Sequence, residues 1–146
     1  MELVNGIEVV VMGAWGTGSF ANDGAADLVG ELGEDGGLDE IEAALDAVLD
    51  VGDDYLEAPA AEAGIAAADI VARLLDRDGD HPPAEADLEV WLQSVEGRPP
   101  RSLVAKARRC IRRVVTKPSE ILELWAETDE LDDWKANLRS IAERLS

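Results

Sequence analysis

Residues 59–75 read Pro59-Ala60-Ala61-Glu62-Ala63-Gly64-Ile65-Ala66-Ala67-Ala68-Asp69-Ile70-Val71-Ala72-Arg73-Leu74-Leu75. Proline suits the first turn of a helix, where its missing N–H has no partner to lose and its ring presets φ. Behind it, Ala63, Ala67, Ile70, Val71, Leu74 and Leu75 recur at spacings of three and four, the helical period. Alanine has little bulk to hold a neighbour away. This stretch therefore predicts a helix packed closely against other helices.

Working outward, the same period repeats on both sides. Downstream, residues 76–83 read as a loop. Leu88, Trp91, Leu92 and Val95 then mark a fourth helix, and Gly97 to Pro100 is the clearest internal break. Val104, Ala107, Ile111, Val114 and Val115 mark a fifth. Pro118 forces a restart into a short sixth carrying Ile121, Leu122 and Trp125. Thr128 can cap a last helix on which Leu131, Trp134, Leu138, Ile141 and Leu145 share a face. Upstream, Leu38, Ile41, Leu45, Val48 and Leu49 form an apolar stripe with Asp39, Glu40, Glu42, Asp46 and Asp50 off it. Before the Gly36-Gly37 break, Ala25, Leu28, Val29 and Leu32 define a first helix, with Asn22 or Asp23 as its cap and Gly33 as its stop. The expectation is an all-α fold, a compact single domain of six to seven helices. The β-branched run Ile7 to Met12 allows one short strand or hairpin near residues 3–12.

Composition agrees with one such domain. The chain has 146 residues, 47% hydrophobic and 31% charged, which is globular rather than disordered composition. One cysteine, Cys110, excludes an internal disulfide and a thiolate metal cluster. No run of 18 apolar residues offers a membrane span, and the N-terminus lacks both the basic start and the uninterrupted apolar run of a signal peptide. A cytoplasmic protein is expected. The net charge of −19 is unevenly placed: residues 1–96 sum to −22, residues 97–119 to +8 and residues 120–146 to −5. An acidic body with one basic segment repels nucleic acid and anionic lipid, so neither is an expected partner.

The loop Met12-Gly13-Ala14-Trp15-Gly16-Thr17-Gly18-Ser19-Phe20-Ala21-Asn22-Asp23 resembles the opening of a bacterial family, domain of unknown function 4259, whose members begin Met-Gly-Ala-Trp-Gly-x-Gly-x-Phe-x-Asn-Asp. The likeness extends through the Ala-rich third helix, Trp91-Leu92, Ser119-Glu120-Ile121-Leu122-Glu123-Leu124-Trp125 and Trp134…Leu138…Arg144-Leu145, most of residues 12–145. It implies that residues 1–11 are an N-terminal extension and residues 12–146 the helical domain, and that Asp27 matches an acid recurring in the family opening. It implies no activity.

Several constellations have residue types that could carry chemistry. Gly13-x-x-Gly16-x-Gly18 before a helix suggests a phosphate loop, but Ser19 stands where a Walker loop needs lysine, and no dinucleotide fingerprint follows. The glycines are expected to serve a tight path while Trp15 and Phe20 plug into the core. Asp76-x-Asp78-x-Asp80 with Asp87 imitates half a calcium loop, but His81 replaces the obligatory glycine and Pro82-Pro83 follows. Asp23, Asp27 and Glu31 lie four apart on the first helix. Asp23 fits the dipole at a helix start, and Asp27, beside the apolar stripe, is expected to be partly buried with a partner. His81, the single histidine, reads as exposed, and Cys110 as a buried inert thiol. No metal or cofactor is expected.

The cations Arg108, Arg109, Arg112 and Arg113 lie opposite the apolar stripe of the fifth helix. No aromatic residues interleave them, so an acidic protein surface is their natural partner. Pairs between Arg108, Arg112 or Arg113 and acids near residues 39–50 or 127–133 are expected, with Arg109 and Arg113 left largely free. The function read from these features is a non-enzymatic protein-binding module. The alternatives are an immunity protein or inhibitor with a nucleic-acid-mimicking acidic face, and a carboxylate- or metal-dependent enzyme centred on Asp23 and Asp27.

Overall fold

A computed structural model of the chain describes residues 16–79, 81–82 and 84–146. About two-thirds of these are helical. The elements are α1 (Asp23–Gly33), α2 (Leu38–Leu49), α3 (Ala58–Leu75), α4 (Ala86–Ser94), α5 (Arg101–Val114), α6 (Glu120–Ala126) and α7 (Leu131–Leu145). Among the described residues, extended pairing is limited to one parallel bridge between Leu56 and Ser119. The strand allowed near residues 3–12, Trp15 and the extension at residues 1–11 lie outside the described residues.

Local chemistry sets the helix ends. Asn22 is extended, and its Oδ1 accepts the Ala25 amide at 2.8 Å, so Asn22 rather than Asp23 caps α1. Past Gly33 the chain turns through Asp35, at φ 74°, into Gly36, where an added Cβ would fall 2.5 Å from the Glu31 carbonyl oxygen. The Glu40 carboxylate reaches back to the Gly37 amide at 2.8 Å and starts α2. Pro59 occupies the first turn of α3. Thr128 does not cap α7. Its hydroxyl donates to the Trp125 carbonyl and accepts from the Glu130 amide, which makes it the link out of α6.

The third helix is the axis of the molecule. Fourteen of its eighteen residues are buried, and it lies against α1, α2, α5, α6 and α7. Its alanines permit this crowding, and Gly64 is its tightest point. A Cβ there would fall 2.5 Å from Val48 Cγ2 on α2 and 2.9 Å from Cys110 Sγ on α5. Around this axis, Trp125 and Trp134 stack at 6.5 Å between α6 and α7. The Trp91 indole donates to the Gly36 carbonyl at 3.0 Å and holds α4 on the α1–α2 turn.

Candidate functional site: a basic groove between α5 and α7

Leu103, Ala107, Cys110, Ile111 and Val114 bury one face of α5, and its cations emerge from the other. They divide into three groups. Lys106 reaches α2, with Nζ 2.8 Å from Glu42 Oε2 and 2.9 Å from Asp46 Oδ1. Those hydrogen bonds, Glu42's first, raise its pKa above the ordinary lysine value.

The second group serves backbone carbonyls. Arg108 donates from Nε and NH2 to the Leu145 carbonyl at 3.0 and 2.7 Å, closing the C-terminal end of α7. Arg113 donates to the carbonyls of Gly52, Asp54, Thr116 and Pro118 at 2.7–3.0 Å and joins the α2–α3 connection to the α5–α6 turn. This corrects two sequence expectations. Arg113 is not free, and the acids near residues 39–50 pair with Lys106 instead of Arg108, Arg112 or Arg113. Helix ends and turns present clusters of carbonyls without N–H partners, and a guanidinium fork satisfies several at once.

The third group is exposed and unpaired. Arg109 and Arg112 have no carboxylate or hydrogen-bond acceptor within reach among the described residues. Arg112 borders a groove of about 300 Å³ with Lys135 and Arg139 of α7, two cations that the sequence reading missed. Their signal was present: they lie four apart on the last helix, off the stripe of Trp134 and Leu138. Ile111, Val115, Leu138 and Ala142 form the floor, and Val115 is 38% exposed. Asp132 and Asp133 occupy the first turn of α7, where the helix dipole favours them, and come within ion-pair distance of none of these cations.

The acidic candidates do not assemble. Asp23 and Asp27 are both exposed on α1, which corrects the expectation that Asp27 is partly buried with a partner. Among the described residues, no three or more His, Cys, Asp and Glu side chains converge in a metal-holding arrangement. Asp76 and Asp78 are exposed, and Asp80 lies outside the described residues. Arg77 beside them donates to the carbonyls of Leu92, Val95 and Gly97, tying that loop to the end of α4.

The glycine loop also differs from expectation. Gly18 is exposed with nothing within 4 Å of an added Cβ, so no close approach requires glycine there, while Gly16 would meet Ala21 Cβ at 3.2 Å. Phe20 is half-buried, and the Arg73 guanidinium carbon sits 5.3 Å from its ring centre. Arg73 is itself buried, with Nε 3.0 Å from Asp69 Oδ1. The same oxygen lies 3.1 Å from Arg144 NH1. His81 is not simply exposed: its Nδ1 lies 3.2 Å from Arg73 NH1. An aspartate and an arginine four apart in a helix apolar on every side were the signal for this interior ion network. Cys110 is fully buried as expected, and burial pushes its thiol pKa up to about 12.

A family model described as Domain of unknown function (DUF4259) matches residues 13–137. No curated protein and no solved structure matches the chain.

Proposed function

Because the chain belongs to the DUF4259 family, whose description assigns no activity, we propose from the surface chemistry that it is a non-enzymatic protein-binding module. It captures an acidic, amphipathic segment of a partner in the α5–α7 groove. The observation behind this reading is a contradiction of charge. In a chain of net charge −19, Arg112, Lys135 and Arg139 stand together around an apolar floor, without carboxylate partners among the described residues. Intramolecular attraction would draw them to the acidic body if their positions allowed it, and rigid helices hold them away. A partner helix with acids flanking Leu or Ile anchors would bury Val115 and Leu138 and neutralise the rim. Its association would be fast at low salt and slower as salt screens the rim.

Fluorescence anisotropy tests the reading with two labelled amphipathic peptides sharing one apolar pattern, one acidic and one basic. The acidic peptide should bind more tightly, and Arg112→Glu with Arg139→Glu should weaken it by roughly tenfold or more without changing the melting temperature. Equal binding of both peptides, or an unchanged affinity in the folded double variant, would remove the groove as the recognition surface.

A further inference from the structure

A second cleft, of about 280 Å³, opens where the loop before α1 meets α3 and α7. Its wall includes Ser19, Phe20, Asp69, Arg73, Glu85 and Asn137. Its charges are unusual for their depth. Side-chain exposure is 4% for Asp69, 4% for Arg73 and 9% for Arg144, and both guanidinium groups are drawn to the one oxygen Asp69 Oδ1. Among the described residues these two guanidinium groups share one buried carboxylate, which leaves the interior triad net positive; Arg73 faces the cleft, and Arg144 lies outside its lining. Among the described residues Arg73 also meets uncharged or aromatic groups: NH1 donates to the Pro82 carbonyl at 2.7 Å and lies 3.2 Å from His81 Nδ1, and the Phe20 ring lies under the guanidinium. Arg144 Nε and His81 Nε2 are buried without hydrogen-bond partners among the described residues. An unpaired buried charge is costly, and a bound anion removes that cost.

We propose that this cleft binds a small monocarboxylate, with Arg73 as its counter-ion. Arg73 Nε and NH1 are taken by Asp69 and Pro82, so NH2, with no acceptor among the described residues, is the nitrogen left to donate to a carboxylate oxygen. Ser19 Oγ accepts from Asn137 Nδ2 at 3.0 Å and has no acceptor of its own among the described residues, so its hydroxyl hydrogen is available to the ligand. Phe20 and Ala21 offer apolar surface to a short tail. The volume sits near the lower end of ligand pockets, which limits the ligand to a small acid or a chain end. The buried Asp69 and the exposed Glu85 in the wall disfavour a phosphate dianion.

The experiment is an NMR titration of the whole ¹⁵N-labelled chain with sodium propionate, using propionamide and inorganic phosphate as controls. A short peptide with a free or an amidated C-terminus forms a further pair. Saturable shifts at the Ser19 and Phe20 amides and at Arg73 Nε–H are expected with carboxylates and not with propionamide. Tighter binding of propionate assigns a free small acid, and tighter binding of the free-ended peptide assigns a partner's chain end. Ser19→Ala should weaken binding roughly fivefold, and Glu85→Gln, at an exposed position, should tighten it and admit phosphate. Arg73→Met removes the anchor but also a core ion pair, so the two peripheral variants decide the matter if it does not fold. Propionamide binding as well as propionate, or no saturable shift with any carboxylate, overturns the proposal.

Discussion

Arg113 and Glu62 carry more of this fold than their positions on charged helices suggest. Arg113 closes on four carbonyls from two connections, so Arg113→Ala leaves several acceptors without a charged donor. A loss of about 1–3 kcal/mol is expected in urea denaturation, and Arg113→Lys should recover only part of it, since an ammonium lacks the planar fork. Glu62 is 4% exposed. Its Oε1 accepts the Gly24 amide at 3.3 Å, and its Oε2 is buried without a hydrogen-bond partner among the described residues. Burial chiefly, then the carboxylates of Asp23 and Glu120, push its pKa up to about 7 against the pull of the Gly24 N–H. Between the ordinary value of 4.5 and about 7, the folded chain holds this proton more tightly than the unfolded one. The Glu62 contribution to stability therefore falls as pH rises through that window and is fully lost above it. Glu62→Gln should flatten this part of the profile and raise stability near pH 8 by about 1–3 kcal/mol. Urea midpoints compared with the parent across the window check this; parallel profiles would show that Glu62 is solvated.

At the scale of elements, two glycines inside helices should respond in opposite directions. Gly64 marks the crossing of α2, α3 and α5, where Val48 and Cys110 occupy the space a methyl group needs. Gly64→Ala should cost about 1–3 kcal/mol through overpacking. Gly30 lies exposed on α1 with nothing within 4 Å of an added Cβ and no left-handed backbone. Gly30→Ala should add about 0.5–1 kcal/mol by raising helix propensity and restricting the unfolded chain. Melting temperatures of the pair report the sign directly; a stabilising Gly64→Ala would mean that α2 and α5 can move apart. All seven helices were legible from period, caps and breakers, because amphipathic spacing records which face each helix must bury. The link after α6 was misread. Thr128 satisfies the usual cap pattern, and only the path of the turn shows its hydroxyl spanning Trp125 and Glu130.

At the scale of the whole molecule, Cys110 sits where three helices meet and reports global opening. It is fully buried with its thiol pKa pushed up to about 12, so a thiol reagent should react at a rate set by unfolding. Modification kinetics should slow in Gly30→Ala and quicken in Gly64→Ala, in step with stability; fast labelling of the native chain would place the thiol at a surface. The sequence by itself determined the all-α class, the helix order, the family and the burial of Cys110. Each depends on patterns a few residues long or on composition. Only the tertiary structure decided what the charges do. Arg108 and Arg113 went to carbonyls, Lys106 to α2, and Arg112 joined Lys135 and Arg139 across a groove. Asp69, Arg73 and Arg144 met in the interior from helices 75 positions apart in the chain. Charge acts through distance and burial, which packing sets and no local spacing records.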